Sequence, residues 1–270
     1  MQQNQKSLEM LKNTARLIWI LITNFRRVYV FPPSYKKLKN LSRFLKEVKS
    51  FQKAGGTIDT FIPILNEHSQ SAGVVGGHYF HQDLLVAQFI KQANPKKHID
   101  VGSRIDGFVA HVASFRKIEI LDIRNFESSE HENLVYTKSD LMELQPNTPK
   151  TDSLSCLHTI EHFGLGRYGD AINPSGHIVG FNNLIKMLEP NGNLYVSFPI
   201  GTKTKVCFNA HRIFNPLEIL TWAPGKVQLI RFDYVDDGGK LHKNFDLNCQ
   251  IEDLNYGCGI YTFKKTISSN

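Results

Sequence analysis

The stretch Ile99-Asp-Val-Gly-Ser-Arg-Ile-Asp-Gly-Phe108 decides the fold. A short β-prone run enters a turn that contains glycine, and the residues after the turn predict a helix that begins near Gly107. Glycine lets the backbone approach a ligand closely, and the N-terminus of a helix presents unpaired N–H groups to an anionic or polar group. The stretch is therefore typical of a ligand-binding turn, with an ordinary strand–helix turn as the alternative.

Further β-prone runs alternate with helical segments. The runs are His98–Val101, Ile118–Leu121, Leu134–Thr137, Ser153–Leu157, Leu194–Phe198, Val227–Tyr234 and Gly259–Phe263. The helix before the fifth run has apolar residues at offsets 0, 3, 4 and 7 from Phe181, and we expect Pro190-Asn-Gly192 to end it. This alternation predicts a doubly wound α/β fold with a seven-stranded, mostly parallel sheet. The last two runs lack a helix between them and predict an antiparallel edge.

The first 70 of the 270 residues differ from the rest in charge. Residues 1–53 carry 12 Lys and Arg against two Glu, a net charge of +10, whereas the remaining 217 residues carry 20 Lys and Arg against 23 acids, a net charge of −3. The apolar stripe Leu38, Leu41, Leu45 and Val48 predicts a helix within the basic part. We therefore expect a basic, helical N-terminal extension over residues 1–70 and an α/β domain over residues 71–270.

The short apolar run Leu17–Ile22, flanked by arginines, has two interpretations. The first is a helix on the α/β domain with a basic face in solvent, and the second is an interfacial helix on an anionic membrane. We prefer the first, because basic amphipathic helices are common without membranes. The run is far shorter than the roughly 18 residues that cross a bilayer, and no small-residue cleavage site follows it. We expect a cytoplasmic protein, with peripheral contact to the inner face of the membrane as the alternative.

Charge and cysteine spacing exclude two classes of function. The acidic balance beyond residue 53 argues against a nucleic-acid-binding surface, so no nucleic-acid partner is expected. Cys156, Cys207, Cys249 and Cys258 form no Cys-x-x-Cys pair, and no His-x-x-x-His or His-Glu-x-x-His spacing occurs. We therefore predict no metal site, and we expect four buried thiols in a reducing compartment.

Acidic residues follow the second and third predicted strands. Asp122 lies 20 residues after Gly102, the spacing at which an acid accepts hydrogen bonds from ribose hydroxyls. Asp140 ends the third strand, where a carboxylate can accept from the exocyclic amine of adenine. Either acid could instead cap a helix or a turn. Together with the glycine turn, the two acids favour an adenosine-type ligand.

Titratable side chains follow the fourth predicted strand. His158, Glu161 and His162 lie within five residues, and ligands of such sheets bind beyond the carboxyl ends of the strands. A histidine, with a pKa of about 6.5, suits proton removal at neutral pH. His162 is the first candidate base and His158 the second, while Glu161 orients one of them or binds a substrate hydroxyl.

A polar cluster follows the fifth predicted strand. His211, Arg212 and Asn209 are candidates for binding a polar or anionic substrate, such as a sugar hydroxyl or a phosphate. A surface salt bridge is the alternative for Arg212. His81, ahead of the first domain helix, is a further substrate-side candidate, and His177 is assigned to a lid loop.

These segments resemble class I S-adenosylmethionine-dependent methyltransferases over about residues 79–265. Asp100-Val-Gly102 resembles their first motif, Asp122 their ribose-binding acid and Ser139-Asp140 their adenine-binding pair. Leu157–His162 resembles the fourth-strand segment, where many members have a Glu-His pair. The resemblance implies a Rossmann-like fold with S-adenosylmethionine as the cofactor. The positions that it assigns to the cofactor are Asp100, Gly102, Ser103, Arg104, Gly107, Asp122, Ile123, Ser139, Asp140 and Leu141.

A narrower resemblance is to the uncharacterised family DUF268, whose members have no settled activity. It rests on His78-Tyr-Phe-His81, Leu121-Asp-Ile-Arg124, His211-Arg-Ile-Phe214 and the glycine turn. The turn departs from the usual Gly-x-Gly-x-Gly, because Arg104 stands where the middle glycine would lie. A guanidinium there could pair bidentately with the carboxylate of S-adenosylmethionine.

The wider resemblance implies methyl transfer to a small polar acceptor, for which a saccharide or a saccharide-linked intermediate is the hypothesis. Two alternatives remain open. The altered glycine turn suggests a non-catalytic binding module that keeps the fold. The third possibility is a different sugar-modifying or hydrolytic enzyme that uses His158, Glu161 and His162.

Overall fold

Helix α1 (Tyr35–Lys53) is the first element of the computed structural model, which describes residues 35–126, 129–249, 251 and 253–267. The chain divides into two compact units, one ending at Val74 and the other beginning at Val75. The run Leu17–Ile22, and with it the question of membrane contact, lies outside the described residues. Among the residues that are described, no helix combines the length and apolar character needed to cross a bilayer.

In the first unit, α1 covers the predicted apolar stripe. Val48 on this helix is buried, and the ring of Phe44 packs edge-on against Phe61, with centroids 6.5 Å apart. Arg43 forms an ion pair with Glu47 one turn later, at 3.3 Å. The predicted helix is therefore present.

The second unit contains ten strands and three helices in its described residues. The strands are β1 (His98–Val101), β2 (Ile118–Asp122), β3 (Leu134–Lys138), β4 (Thr151–Leu157), β5 (Leu188–Ile200), β6 (Lys205–Cys207), β7 (His211–Ile213), β8 (Val227–Val235), β9 (Leu241–His242) and β10 (Gly257–Lys265). The helices are α2 (His78–Ala93), α3 (Ala110–Ala113) and α4 (Gly176–Met187). All seven predicted strands are present, and β1 has the predicted ends.

Eight of these strands form one sheet in the order β3-β2-β1-β4-β5-β10-β8-β9. Strands β1 to β5 are parallel, and β10 lies antiparallel between β5 and β8. The prediction of a mostly parallel α/β sheet with an antiparallel edge is confirmed. The sheet has one strand more than the seven that were predicted, namely the two-residue β9 at its edge. Helix α3 lies between β1 and β2, and α4 between β4 and β5. Among the described residues, no helix links β2 to β3 or β3 to β4.

The core lies on both faces of the sheet. Successive residues of β2, Ile120 and Leu121, belong to different apolar clusters, because side chains of a strand alternate between its faces. One cluster contains Trp222 and Tyr261, and the other contains Phe108 on the turn before α3. All four residues of β1 are buried, as expected for a parallel strand that is covered on both sides.

The expected regular helix near Gly107 is wrong in detail. A five-residue π-helical turn, Ile105–Val109, leads into α3, and Gly107 inside it has φ −122° and ψ −106°, outside the helical region. A Cβ atom at Gly107 would lie 2.5 Å from Oδ2 of Asp83 on α2. The glycine therefore serves the close approach of α2, which the local sequence does not show.

Two other local predictions also differ from the structure. Helix α4 ends at Met187, and Pro190-Asn-Gly192 lies inside β5, where Asn191 has a φ of +62°. Cys156 and Cys258 are buried as predicted, but Cys207 and Cys249 are exposed. Cys207 ends β6, all of whose residues are exposed.

His98, the first residue of β1, is fully buried. Its Nδ1 lies 2.8 Å from Oγ of Ser153, and its Nε2 lies 3.1 Å from Oγ of Ser155, so two hydroxyls on β4 satisfy both ring nitrogens. Burial, with a contribution from Arg116, lowers the pKa of His98 to about 3. The imidazole is therefore neutral in the folded protein.

This burial predicts acid sensitivity. Below about pH 6.5 the unfolded chain protonates this histidine and the folded protein does not, so the free energy of unfolding falls as the pH decreases. We expect a contribution of about 1.4 kcal/mol per pH unit between about pH 6 and pH 4, with the full stability present above about pH 6.5. Urea unfolding of the parent and of His98→Gln measures it, with exposed His131→Gln as the matched control. An identical pH slope in the parent and His98→Gln would contradict the prediction.

Candidate functional site

A cavity of about 430 Å³ opens at the carboxyl ends of the parallel strands. Its wall includes Gly102 after β1, Asp122 at the end of β2, Ser139 after β3 and His158 after β4. Small-molecule sites in open α/β sheets lie at this edge, and cavities of about 300–1,000 Å³ are typical of them. The predicted site residues that line it are Gly102, Arg104, Asp122, Ile123, Ser139, Asp140, Leu141, His158, Glu161, His162 and His211. The cavity therefore brings cofactor-side, catalytic and substrate-side candidates together.

The turn after β1 requires glycine at position 102. Gly102 has a φ of +67°, in the left-handed region, and its N–H donates to the carbonyl of Leu121 at 2.9 Å. A Cβ atom here would lie 2.4 Å from Cγ2 of Thr159. Both the conformation and the packing against the segment after β4 exclude a side chain.

Asp100 and Ser103 lie beneath this turn and do not line the cavity. The Asp100 carboxylate accepts hydrogen bonds from the N–H of Ser103 at 3.0 Å and from the hydroxyl groups of Ser103 and Ser155. Burial raises the pKa of Asp100 to about 6, and these hydrogen bonds limit the rise. Ser103 Oγ in turn accepts from the N–H of Leu157 at 3.0 Å. This network supports the turn and ties it to the end of β4.

Arg104 lies exposed at the rim of the cavity and leaves it open. Its guanidinium pairs with Asp106, with Nε 2.6 Å from Oδ1, and lies 5.6 Å from the ring centroid of Tyr79. The pair lies at the surface, where water screens it, so the guanidinium can exchange its partner at little cost. Gly107, packed near Asp83, does not line the cavity.

Asp122 is buried and already has a cationic partner. Its Oδ1 accepts from the N–H of Arg124 at 2.8 Å and from Nε at 2.9 Å, while Oδ2 lies 2.5 Å from Nη2. The Arg124 guanidinium also lies 4.8 Å from the ring centroid of Tyr168. Arg124 is a site residue that the sequence pattern does not indicate, although it stands only two positions beyond the predicted acid.

Ser139 and Asp140 form the third side of the cofactor half of the cavity. The N–H of Ser139 donates to the backbone carbonyl of Asp122 at 2.9 Å. Oδ1 of Asp140 accepts a hydrogen bond from the N–H of Met142 at 2.8 Å. This oxygen therefore caps a turn, which is the alternative role that the sequence left open for Asp140. Leu141 is buried and adds an apolar surface.

The three catalytic candidates lie together in the segment after β4. His158 has a φ of +48°, and its Nδ1 lies 3.0 Å from Oε1 of Glu161, which is buried. Nε2 of His162 lies 3.8 Å from the same oxygen. Nδ1 of His162 lies 2.7 Å from the carbonyl of Ala210, which can only accept a hydrogen bond. Nδ1 therefore carries the hydrogen, and Nε2 is the basic nitrogen of His162.

The surroundings of the two histidines separate their roles. Burial lowers the pKa of His162 and outweighs the opposing charge of Glu161, so this imidazole is neutral near pH 7. Burial opposes charge on His158 as well, but Cys258 and Glu161 outweigh it and hold the pKa of His158 well above its usual range. His162 can therefore accept a proton, which favours it as the base.

Among the substrate-side candidates, His211 lines the cavity, with its ring centroid 5.4 Å from that of Tyr256. Asn209 is exposed and lies outside the lining. Half-buried His81 also lies outside it, and its predicted place ahead of the first domain helix is wrong, because it belongs to α2 itself. These two residues do not face the cavity that holds the catalytic candidates.

Arg212 is a positioning residue and does not line the cavity. It is buried, and its Nη1 donates to the carbonyl of Phe163 at 2.7 Å, while Nη2 donates to that of Pro174 at 3.2 Å. These bonds join the segment after β4 to the segment before α4, so the alternative of a surface salt bridge is also wrong. His177 lies buried in α4, with its ring 5.1 Å from that of Trp222, and the assignment to a lid loop is wrong.

Several lining residues have no local signal in the sequence. Tyr79, Tyr168 and Tyr256 come from α2, the segment after β4 and the segment before β10, and each is exposed at the cavity. Arg167 lies 5.1 Å from the ring centroid of Tyr168 and donates to the carbonyl of Ala210 at 2.6 Å. The aromatic rim arises only when distant segments meet.

About half of the chain matches a described protein family. The family described as "Caenorhabditis protein of unknown function, DUF268" matches residues 112–252. The chain belongs to the DUF268 family. No curated protein matches it.

Solved structures are similar to this DUF268 protein in fold. The [4+2]-cyclase SpnF has a TM-score of 0.50 at 12% identity, over 89% of this chain and 100% of that one. The N-methyltransferase NodS from Bradyrhizobium japonicum WM9, in complex with S-adenosyl-L-homocysteine, has a TM-score of 0.47 at 10% identity, over 80% and 97%. An S-adenosylmethionine-dependent methyltransferase from Clostridium acetobutylicum ATCC 824 has a TM-score of 0.48 at 12% identity, over 83% and 99%. The predicted Rossmann-like methyltransferase fold is confirmed, and identities this low carry no statement about activity.

Proposed function

We propose that this DUF268 protein is an S-adenosylmethionine-dependent methyltransferase. The observation that carries the proposal is the convergence of the Gly102 turn, Asp122 and Ser139-Asp140 on one cavity, at the ends of three adjacent parallel strands. A nucleoside needs an acceptor for its ribose hydroxyls, polar groups at the edge of the base and apolar groups against its faces. The chain offers Asp122, Asp140 and the pair Ile123 and Leu141 for these tasks, so the residues fit the cofactor.

Binding of a ribose at Asp122 requires Arg124 to leave. The Arg124 side chain is 47% exposed and can turn into solvent, which leaves the buried Asp122 carboxylate in need of new hydrogen-bond partners. Asp122 keeps the hydrogen bond from the N–H of Arg124, and hydrogen bonds from ribose to the charged carboxylate, about 1.5–3 kcal/mol each, offset the loss of the guanidinium. Arg124 therefore acts as a competitor that lowers the affinity of the site without closing it.

The residues of the chain supply alignment and proton removal. The cofactor brings a methyl group on a sulfonium, already activated for displacement. Arg104 at the rim can bind its carboxylate after releasing Asp106. His162 Nε2 accepts the proton of the acceptor hydroxyl, while the carbonyl of Ala210 orients this ring and the Glu161 carboxylate stabilises the charge that it gains. Holding the two reactants in line contributes much of the rate in such reactions.

We propose a small, hydroxyl-bearing acceptor, with a saccharide or a saccharide-linked intermediate as the first candidate. Tyr79, Tyr168 and Tyr256 offer rings with polar tips around the opening, a combination that suits sugar faces and their hydroxyl groups. His211 and Arg167 add hydrogen-bonding groups beside them. These side chains, and not the fold, support this choice of acceptor.

The Asp122–Arg124 pair also favours a second candidate, a binding module that no longer transfers methyl groups. In that case the ion pair between Arg124 and Asp122 would be permanent, and Asp122 would not accept hydrogen bonds from a ribose. The two proposals differ in whether the protein binds adenosyl compounds at all.

Calorimetry with S-adenosylmethionine and S-adenosylhomocysteine tests the proposal. We expect Asp122→Asn to weaken binding by about tenfold or more, since hydrogen bonds to a charged group contribute about 1.5–3 kcal/mol. Glu130→Gln, an equal charge change at an exposed position, is the control and should bind as the parent does. Failure of the parent to bind either compound would reject the cofactor and favour the binding module.

The same titration in Arg124→Gln tests the competition at Asp122. Removing the guanidinium should tighten binding of S-adenosylhomocysteine by about two- to fivefold, the equivalent of a partly exposed ion pair. Weaker binding would instead show that the guanidinium contacts the ligand.

Loss of the base should slow the reaction and spare cofactor binding. With labelled S-adenosylmethionine and a panel of sugars and sugar nucleotides, His162→Gln should reduce kcat by about 10²- to 10⁴-fold. Its affinity for S-adenosylhomocysteine should equal that of the parent. Undiminished transfer would remove His162 from the mechanism, and product formed without a methyl donor would indicate a different enzyme class.

A further inference from the structure

Three potential metal ligands meet beside the cavity. A ring nitrogen of His78, a ring nitrogen of His158 and Sγ of Cys258 lie within 4.8 Å of one another. They come from the start of α2, the segment after β4 and the start of β10. No local spacing connects them, which is why the search for paired histidines and cysteines in the sequence did not find them.

The hydrogen bonds of His158 leave one nitrogen free. Nδ1 bonds to Glu161, whereas Nε2 is buried and has no hydrogen-bond partner among the described residues. A buried, unpaired ring nitrogen in a protein calls for a physical explanation. Histidines that bind metals commonly donate their other N–H to a carboxylate, which fixes the tautomer and the ring orientation. His158 has this arrangement.

His78 repeats the pattern with a backbone acceptor. Its Nε2 lies 3.1 Å from the carbonyl of Tyr256, so Nε2 carries the hydrogen and Nδ1 is left with a free lone pair. The rings of His78 and His158 are neighbours, with centroids 5.4 Å apart. Both histidines are thus held by a partner on one nitrogen, and a metal ion can bind the other nitrogen, where on His158 it would take the place of a proton.

Cys258 provides the third donor. Its side chain is fully buried. Besides the interaction with His158, its sulfur makes only long contacts among the described residues, 3.7 Å to Oε1 of Gln82 and 3.8 Å to the carbonyl of Gly259. The positive φ of His158 is a further cost, because a residue with a Cβ atom is strained in that conformation. A ligand that draws His158 towards Cys258 would offset this cost.

We propose that His78, His158 and Cys258 bind a zinc ion, with Glu161 as the outer partner of His158. Imidazole and thiolate donors select Zn²⁺, whereas Mg²⁺ and Ca²⁺ require oxygen ligands. Zinc bonds of about 2.0–2.3 Å place tetrahedral ligand atoms roughly 3.5 Å apart, so the three donors need to approach by about 1 Å. Three protein ligands leave a fourth position for water. This site does not depend on methyl transfer.

A protonated His158 paired with a Cys258 thiolate is the competing explanation. It uses the same two atoms, with a proton in place of the metal. It does not by itself explain why the ring of His78, which has a free lone pair on Nδ1, lies beside these two residues. The metal is therefore the better explanation of the three residues together.

The test uses untagged full-length protein, stripped with a chelator and titrated with Zn²⁺ or Co²⁺. We expect one equivalent of metal per chain by elemental analysis, and thiolate-to-cobalt charge-transfer absorption with Co²⁺. Cys258→Ser should abolish that absorption and weaken binding by more than about tenfold. Cys156→Ser, at an equally buried cysteine on β4, is the matched control and should behave as the parent. His78→Gln, at a half-buried position, should weaken binding and decides the question if Cys258→Ser does not fold.

Three results would overturn the proposal. They are the absence of saturable binding by the folded parent, unchanged cobalt absorption in Cys258→Ser, and unchanged affinity in His78→Gln. Ultraviolet thiolate absorption in the metal-free parent that is absent from Cys258→Ser, without any metal uptake, would assign the imidazolium–thiolate pair instead.

Discussion

The candidate site depends on one buried carboxylate. Asp100 lies on β1, the middle one of the five parallel strands, where it accepts hydrogen bonds from Ser103 beneath the glycine turn and from Ser155 on the neighbouring strand. A carboxylate without water is costly unless hydrogen bonds replace its solvation, so the turn and the strand must keep their relative positions. Asp100, which was expected to bind the cofactor, instead supports the turn that contains Gly102.

The segment after β4 is the second constraint, and it carries most of the chemistry. Arg212 holds it through backbone carbonyl groups, and Glu161 holds His158 while it lies near His162. Two histidines in one turn consequently have opposite pKa shifts, one lowered by burial and the other raised by its neighbours. This division supports His162 as the proton acceptor and leaves His158 for binding.

The strands and the acid at the tip of β2 could be predicted from sequence, because they depend on local patterns. Runs of apolar residues mark buried strands, and the spacing from Gly102 to Asp122 follows from one strand–helix–strand unit. The partner of Asp122 could not be predicted, since the rotamer of Arg124 depends on Tyr168, which lies far away in the chain. Gly107 was misassigned for a related reason, because helix α2 and not a helix N-terminus requires it. The group of His78, His158 and Cys258 joins three segments and has no periodicity of its own.

The place of β10 in the sheet has a consequence for the order of assembly. It lies between β5 and β8, and both of these strands precede it in the chain. During synthesis, one edge of β5 and one edge of β8 therefore remain unpaired until residues 257–265 have left the ribosome. Such unpaired edges can pair with other chains. Cys258 belongs to β10, so one of the three segments that surround His158 is in place only after β10 has paired with β5 and β8.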